Sequence, residues 1–194
     1  IRHHLERPLR LHGGTADLEA RLRQTLADVE LDPDTTLEKF PHQLSGGQRQ
    51  RVSFARALAV GAELIVADEP TSMLDVSVRQ GILNLLNDMK AELKLALLYI
   101  THDIATARYV ADDIMVMYAG QIVEWGTVDK VLDDPRHPYT RLLLSAVPDP
   151  DRRFDDVRFA DELSRIDDIR AQSALPQTEI DQAGDNHFFR PLPA

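Results

Sequence analysis

Two short apolar segments, each followed by polar residues, constrain the fold of this 194-residue chain more than any other feature. Residues 63–67 lead into Asp68 and Glu69, and residues 95–100 lead to His102. Apolar runs of this length without polar alternation are typical of buried parallel strands. An amphipathic helical pattern lies between the two segments. The chain therefore contains a strand–helix–strand unit, which predicts an α/β fold with a mainly parallel sheet.

The remaining chain alternates helical patterns with turn signals and ends in a segment of different character. Residues 114–118 and 121–124 flank Ala119-Gly120 and predict a β-hairpin. After Pro148-Asp149-Pro150, residues 151–194 have weak periodicity and many acidic side chains, so we expect a marginally ordered appendage or a docking tail there. The helical patterns cover residues 16–30, 46–60, 76–93, 104–111, 128–132 and 138–147.

Composition excludes several classes of protein. The chain has no cysteine, which rules out disulfides, thiolate metal sites and iron–sulfur clusters. Its 22 Lys and Arg against 32 Asp and Glu give a net charge of −10, which argues against nucleic acid as a partner. No apolar run approaches the roughly 20 residues that a membrane-spanning helix needs. The sequence begins at Ile1 with no signal-peptide pattern, so we expect a cytoplasmic chain, and one that belongs to something longer.

The segment Leu-Ser-Gly-Gly-Gln-Arg-Gln-Arg at residues 44–51 carries the first candidate site. Ser45 is a suitable N-cap for the helix that follows, and Gly46 and Gly47 allow a ligand to approach the bare backbone. The N–H groups and the positive dipole end of a helix N-terminus suit a phosphate. A Ser-Gly-Gly helix start with no ligand is the alternative, and the full eight-residue segment is far more specific than that.

The acidic pair after the first strand carries the second candidate site. Ligands of open α/β sheets bind beyond the carboxyl ends of the strands. Asp68 there is able to hold Mg²⁺, and Glu69 to orient or deprotonate a water molecule. The alternative is a pair of acids in a loop, one of them capping the next helix. Asp75, just before the helix that starts near residue 76, is by itself a simple cap.

His102 follows the second strand and would share this sheet edge if the two strands are neighbours. An imidazole there is able to bind a γ-phosphate or position an attacking water. Taken alone, it is more often a loop histidine with a structural partner. The remaining histidines lack metal-ligand spacing, and we interpret them as structural or exposed; of these, His137 is expected to cap the helix that begins at Pro138. They are His3, His4, His12, His42, His137 and His187.

Together these motifs resemble the ATP-binding subunit of ABC transporters. The resemblance rests on four segments in the family's order and spacing: the signature at 44–51, Walker B at 63–72, the D-loop at 72–75 and the H-loop at 99–103. It covers about residues 1–150. Residues 116–124 and the His-Pro-Tyr-Thr segment at 137–140 further resemble the oligopeptide/dipeptide importer branch.

The resemblance implies a role for each candidate residue and a set of partners. It implies an ATPase that uses ATP and Mg²⁺, with Asp68 as the Mg²⁺ ligand, Glu69 as the catalytic base and His102 as a contact of the γ-phosphate. Asp75 would help to assemble a head-to-tail dimer with a second ATP-binding subunit, homo- or heterodimeric. The other partners would be membrane permeases and, indirectly, a solute-binding protein, at the cytoplasmic face of the membrane. The residues implied to bind the γ-phosphate of ATP on the opposite subunit are Ser45, Gly46, Gly47 and Gln48.

The sequence departs from the family at one important place. It contains no Gly-x-x-x-x-Gly-Lys-Ser/Thr segment, so the Walker A lysine loop is absent, as is the Q-loop glutamine. We therefore expect the C-terminal portion of a subunit, truncated or split, that binds ATP weakly and is inactive alone. Met73 stands where alanine is common in the D-loop.

The resemblance divides the chain into three parts. Residues 1–58 would be part of the helical subdomain, residues 59–147 part of a P-loop NTPase core, and residues 148–194 a tail of the peptide-importer type. Two other readings compete with a peptide importer. One is an ABC-type ATPase of DNA repair or translation, which would carry coiled-coil, zinc or basic insertions. The other is a non-catalytic interaction module, which the absent lysine loop favours and the intact Asp68, Glu69 and His102 disfavour.

Overall fold

A computed structural model describes residues 1–12, 17–147 and 164–192 of the chain. The chain divides into two compact units, Ile1–His102 and Asp103–Ala194. The division into residues 1–58, 59–147 and 148–194 comes from the family resemblance and not from compactness, and it remains a prediction. In the described residues no helix is both long and apolar enough to cross a membrane.

The described residues of the first unit form five α-helices and a two-stranded parallel sheet. Strand β1 pairs with β2 in register from Leu64 opposite Ala96 to Asp68 opposite Ile100, which confirms the parallel strands and the α/β class. Leucine side chains of α1 and α2, and Val29 just after α2, are buried. Helices α1 and α2 pack against each other and against α4, which also contacts α5. The elements are α1 (Arg2–Leu11), α2 (Leu18–Ala27), α3 (Pro33–Thr36), a 3₁₀ turn (Pro41–Gln43), α4 (Gly46–Ala59), β1 (Leu64–Asp68), α5 (Val76–Leu93) and β2 (Ala96–Ile100).

The prediction that both faces of these strands are buried is wrong. Burial alternates along β1, where Leu64 and Val66 are 57% and 58% exposed and Ile65 and Ala67 are buried. Leu98 of β2 lies opposite Val66 and is also exposed. An unbroken apolar run indicates that both faces of a strand are apolar, but it does not indicate which other residues cover each face. Among the described residues, only one face of this sheet is covered.

Helix bounds in the first unit follow the local signals closely. Helix α4 ends at Ala59, and the backbone turns at Gly61, whose φ of +73° favours glycine. Helix α2 begins at Leu18, after Asp17, rather than at residue 16. Thr15 directly precedes the helical pattern at residues 16–30 and is a suitable N-cap for it, but it lies outside the described residues.

The second unit is built around a four-stranded antiparallel sheet with the order β3–β4–β6–β5. The predicted hairpin is confirmed: Ala119 and Gly120 join β3 to β4 with φ values of +48° and +81°, as a tight hairpin turn requires. Val116, Val123 and Val131 are at the centre of the core of this unit. The elements are α6 (Ile104–Val110), β3 (Asp113–Tyr118), β4 (Gln121–Thr127), α7 (Val128–Asp133), α8 (Pro138–Ser145), α9 (Ile166–Ser173), β5 (Asp181–Gly184) and β6 (His187–Phe189).

The prediction of a marginally ordered appendage is wrong for residues 164–192. Strand β6 pairs with β4, with Trp125 opposite Phe188 and Gly126 opposite His187. A side chain at Gly126 would lie 2.2 Å from the carbonyl oxygen of Asn186, so this pairing requires glycine. The sequence of this segment shows little hydrophobic periodicity because its two strands have only four and three residues, too few to show a pattern. Its expected role as a docking tail stays a prediction.

Candidate active site

The parallel pairing of β1 and β2 brings Glu69 and His102 together at one sheet edge, as their positions after the strands predicted. Glu69 Oε1 lies 3.0 Å from His102 Nδ1. The Glu69 side chain is 47% exposed and that of His102 is 74% exposed. The two groups therefore form a hydrogen-bonded pair that remains open to a ligand. Asp68, the last residue of β1, is exposed at the same edge.

The backbone of Glu69 is held in an unusual conformation. Its φ is +45°, a left-handed value that a residue with a side chain adopts at a cost in free energy. The Glu69 N–H donates to the Ile100 carbonyl over 2.9 Å, and its own carbonyl accepts the Ser72 hydroxyl over 3.0 Å. These bonds at both ends of the residue stabilise the turn that directs the carboxylate away from the strand. Sequence reasoning did not identify Ser72 as a supporting residue, and no local signal marks it.

The signature segment forms the start of α4, and its cap is reciprocal. Ser45 Oγ accepts from the Gln48 N–H over 3.2 Å, while Gln48 Oε1 accepts from the Ser45 N–H over 3.0 Å. This capping box satisfies two of the N–H groups that a helix start leaves without intrahelical partners. The Ser45 cap is confirmed, and Gln48 has a structural role that sequence reasoning did not assign to it.

The two signature glycines differ in what surrounds them. A side chain added at Gly47 would place its Cβ 2.4 Å from Val78 Cγ1 of α5, whereas at Gly46 the nearest atom is Leu74 Cδ2, 3.4 Å away. Gly47 is buried and allows α4 and α5 to approach closely at their N-termini. It thus has a packing role of its own, and only Gly46 is partly open.

Asp75 caps α5 beside this contact. Its Oδ1 accepts from the Val78 N–H and the Ser77 hydroxyl, both over 2.9 Å. These bonds, led by the one from the Val78 N–H, lower the pKa of the Asp75 carboxyl, so it is ionised at neutral pH. The cap is confirmed. Met73, two residues earlier, is 97% exposed.

Arg51, the last residue of the signature segment, is a further positioning residue. Its guanidinium donates to the Val29 carbonyl over 2.9 Å and to the Gly81 carbonyl over 3.3 Å, and it pairs with Glu30. It thereby links α4 to the turn that follows α2 and to α5. In the sequence, Arg51 is only the last residue of the signature segment and no role could be predicted for it, because its partners lie 21 to 30 residues away.

The candidate residues thus fall into two groups. One is the sheet edge with Asp68, Glu69 and His102, and the other is the pair of capped helix starts with Ser45 and Asp75. The hydrogen bonds and ion pairs of these candidate residues do not join the two groups. Across the part of the chain that the structure describes, no three His, Asp or Glu side chains are arranged to hold a metal ion.

Comparison with known proteins identifies the family. The ABC transporter family model matches residues 3–72, and the model of the oligopeptide/dipeptide transporter C-terminal region matches residues 123–171. Two separate parts of the sequence, residues 3–72 and residues 123–171, therefore match ABC transporter families, and the second of them lies within the second unit.

Curated relatives of this family carry names from peptide transport. A peptide import ATP-binding protein of Brucella ovis is 47% identical over 139 residues, which cover 72% of this chain and 44% of the relative. The dipeptide transport ATP-binding protein DppF of Escherichia coli is 42% identical over 163 residues, 82% of this chain and 48% of DppF. The chain spans about half the length of these ABC relatives.

Solved structures of ABC proteins share the fold. A dimeric ATP-binding cassette in a post-hydrolysis state, bound to ADP and phosphate, matches with a TM-score of 0.55 and 33% identity. The match covers 66% of this chain and 56% of the cassette. A metal-chelate type ABC transporter in an inward-facing conformation matches with a TM-score of 0.61 and 26% identity, over 68% and 53% of the two chains.

Proposed function

We propose that this chain supplies the hydrolytic and signature parts of an ATPase subunit that powers an ABC importer of peptides or similar solutes. The observation that carries this proposal is the open pair of Glu69 and His102, 3.0 Å apart at the end of two parallel strands. The names of the relatives support the peptide branch. The subunit would work at the cytoplasmic face of the membrane.

Glu69 acts in this proposal as the base that polarises the attacking water. Its carboxylate is exposed and anchored by the His102 ring through Nδ1, so its orientation is set before substrate binds. Because that bond uses Nδ1, Nε2 is the ring nitrogen of His102 that would face the γ-phosphate, and it would donate there with both ring nitrogens protonated. The protein thereby positions both groups without moving them during the reaction.

Asp68 fits a role as a Mg²⁺ ligand. It is an exposed carboxylate at the carboxyl end of a strand, and proteins usually bind Mg²⁺ through one or two carboxylates together with substrate phosphates. The bound ion would neutralise charge on the phosphates of ATP. Asp68 would hold that ion while Glu69, the next residue, faces the water.

The two helix starts are proposed to act across a dimer. The N-termini of α4 and α5 meet at Gly47 and Val78, so two positive dipole ends lie side by side. Ser45, Gly46 and Gln48 there would contact the γ-phosphate of ATP on a second subunit. The almost fully exposed Met73 beside Asp75 is an apolar surface that such a dimer would bury.

The remaining partners follow from the same assembly. Residues 1–58 would transmit closure of the dimer to membrane permeases, and a solute-binding protein would act only through those permeases. No phosphate-binding lysine loop occurs in the 194 residues, so we propose that this chain alone binds ATP weakly and does not hydrolyse it. The exposed apolar face of β1 and β2 supports a need for further polypeptide to cover it.

Fusing the part of Escherichia coli DppF that lies ahead of its match with this chain to Ile1 tests the hydrolytic role. We expect this chimera to hydrolyse ATP, and the Glu69→Gln chimera to lose at least about 100-fold in kcat because the water loses its base. The Glu69→Gln chimera should also accumulate as an ATP-bound dimer in gel filtration. Glu63→Gln, an exposed acid just before β1, is the matched control and should retain full turnover. Equal kcat in the Glu69 and Glu63 variants would contradict the assignment of the base.

Titration of the 194-residue chain with ATP separates this proposal from an interaction module. We expect a Kd in the millimolar range, measured by calorimetry with Mg²⁺ present. Micromolar binding by the chain alone would contradict the proposed dependence on a separate lysine loop. A chimera that binds ATP but never hydrolyses it would favour the interaction module.

A further inference from the structure

A buried carboxylate in the second unit joins three segments of the chain. Glu124 of β4 is completely buried. Its oxygens accept from the Arg136 N–H over 2.7 Å, the His137 N–H over 3.0 Å and the His187 ring Nε2 over 2.7 Å. Three donors around one buried carboxylate stabilise its charged form, which burial alone would make costly.

His137 lies beside this carboxylate and is fully buried as well. Its Nδ1 accepts from the Tyr139 N–H over 3.0 Å and caps α8, so Nδ1 carries no proton. The other nitrogen, Nε2, then carries the hydrogen and donates to Gln177 Oε1 over 3.2 Å. Both ring nitrogens have partners only in the neutral form of this one tautomer.

Gln177 in turn holds the C-terminal segment. Its side-chain amide donates to the Ser173 carbonyl over 3.1 Å, and its backbone N–H donates to Gln121 Oε1 of β4 over 3.1 Å. Its carbonyl accepts from the Arg190 guanidinium. The path from His137 through Gln177 to Arg190 therefore connects the start of α8 with residues 173–190.

We propose that His137 is a proton-controlled latch for residues 173–190, closed when the imidazole is neutral and opened when Nδ1 gains a proton. A proton on Nδ1 would face the Tyr139 N–H, so the cap of α8 would lose its acceptor. The new charge would also be buried. Glu124 is the carboxylate beside it and already accepts from three donors. Opening would free β6 from β4 and expose an unpaired strand edge at residues 124–126.

The charges around His137 fix the direction of the pH response. Burial, the largest influence, lowers the pKa of His137, while the bond to Gln177 and the charge of Glu124 act in the opposite direction. His187 on β6 faces Glu124, and Arg190 at the end of β6 faces Gln177. Because the released imidazole takes up protons more readily than the buried one, the latch is fully closed above about pH 6.5 and weakens as the pH falls below it.

Hydrogen exchange of the 194-residue chain at pH 7.5 and pH 5.5 tests this latch. After correction for intrinsic exchange, we expect amides of residues 181–190 to exchange faster at pH 5.5, by up to about tenfold for each pH unit below the ordinary histidine value. Amides of α4 in the first unit should not change. Unchanged exchange at 181–190, or an equal rise in α4, would overturn the proposal.

Two variants separate the latch from general acid sensitivity. His137→Asn places a non-titrating oxygen where Nδ1 caps α8, and we expect it to abolish the acid response. His42→Asn, at an exposed histidine, should respond like the original chain. An undiminished response in His137→Asn would overturn the proposal. Should that variant not fold, NMR titration of the His137 ring in the original chain decides, since a midpoint above pH 6.5 would contradict the latch.

Discussion

The chain contains two Glu–His pairs of the same chemistry in opposite surroundings. Glu69 and His102 are 3.0 Å apart with side chains 47% and 74% exposed, whereas Glu124 and His187 are 2.7 Å apart with side chains 0% and 5% exposed. The exposed pair leaves room for a ligand, and ion pairs screened by water in this way typically contribute about 0–1 kcal/mol. The buried pair excludes solvent and joins strand β6 to β4. Position relative to solvent, rather than residue type, thus distinguishes the candidate reactive pair from the structural one.

The largest expected effect comes from Glu124→Gln. The amide cannot accept from all three donors that now meet the carboxylate, and one of its own N–H groups would face a donor. Removing one partner of a buried ionic cluster typically costs about 3–5 kcal/mol. Urea unfolding, followed by the fluorescence of Trp125 in the same strand, measures this loss. A cost below about 1 kcal/mol would mean that the buried pair is no more structural than the exposed one.

An intermediate effect on stability is expected at Gly46 and Gly47. These adjacent signature glycines extend the comparison between exposed and buried positions to a single helix start. Gly47→Ala would bring Cβ to 2.4 Å from Val78 Cγ1, and overpacking of this kind costs about 1–3 kcal/mol. Gly46→Ala has 3.4 Å to its nearest neighbour and should change the free energy of unfolding by less than about 0.5 kcal/mol. Thermal unfolding of the two variants compares them directly. Equal melting temperatures of the two variants would contradict the packing role of Gly47.

Local signals and strand order predicted most of the exposed site. Ser45 and Asp75 are readable N-caps because each directly precedes a helical pattern, whereas the reciprocal bond from the Ser45 N–H to Gln48 was not predicted. Glu69 and His102 each follow an apolar strand, so parallel pairing was enough to bring them together. The alternating burial of β1 was not predictable, because all of its first four residues are apolar and the sequence does not state what covers each face.

The buried pair could not be predicted, because its residues meet through a pairing that is distant in sequence. Glu124 and His187 are 63 residues apart, and β6 has three residues. No pattern in the sequence gives the register that places Gly126 opposite His187. His137 was identified correctly as a cap because its role depends on Pro138 and Tyr139, which are its neighbours. Contacts fixed by neighbouring residues were thus predictable, and contacts fixed by a distant register were not.

The smallest expected effect on stability, that of Glu69→Gln, is the sharpest test of the comparison. The exposed pair is screened by water, and pairs of this kind contribute about 0–1 kcal/mol. The glutamine amide also retains an oxygen for the His102 ring, so urea unfolding should show a change below about 0.5 kcal/mol. A loss as large as that expected for Glu124→Gln would mean that the Glu69 carboxylate holds the fold. Its orientation toward solvent would then be a consequence of packing rather than a feature that keeps this pair available to a nucleotide.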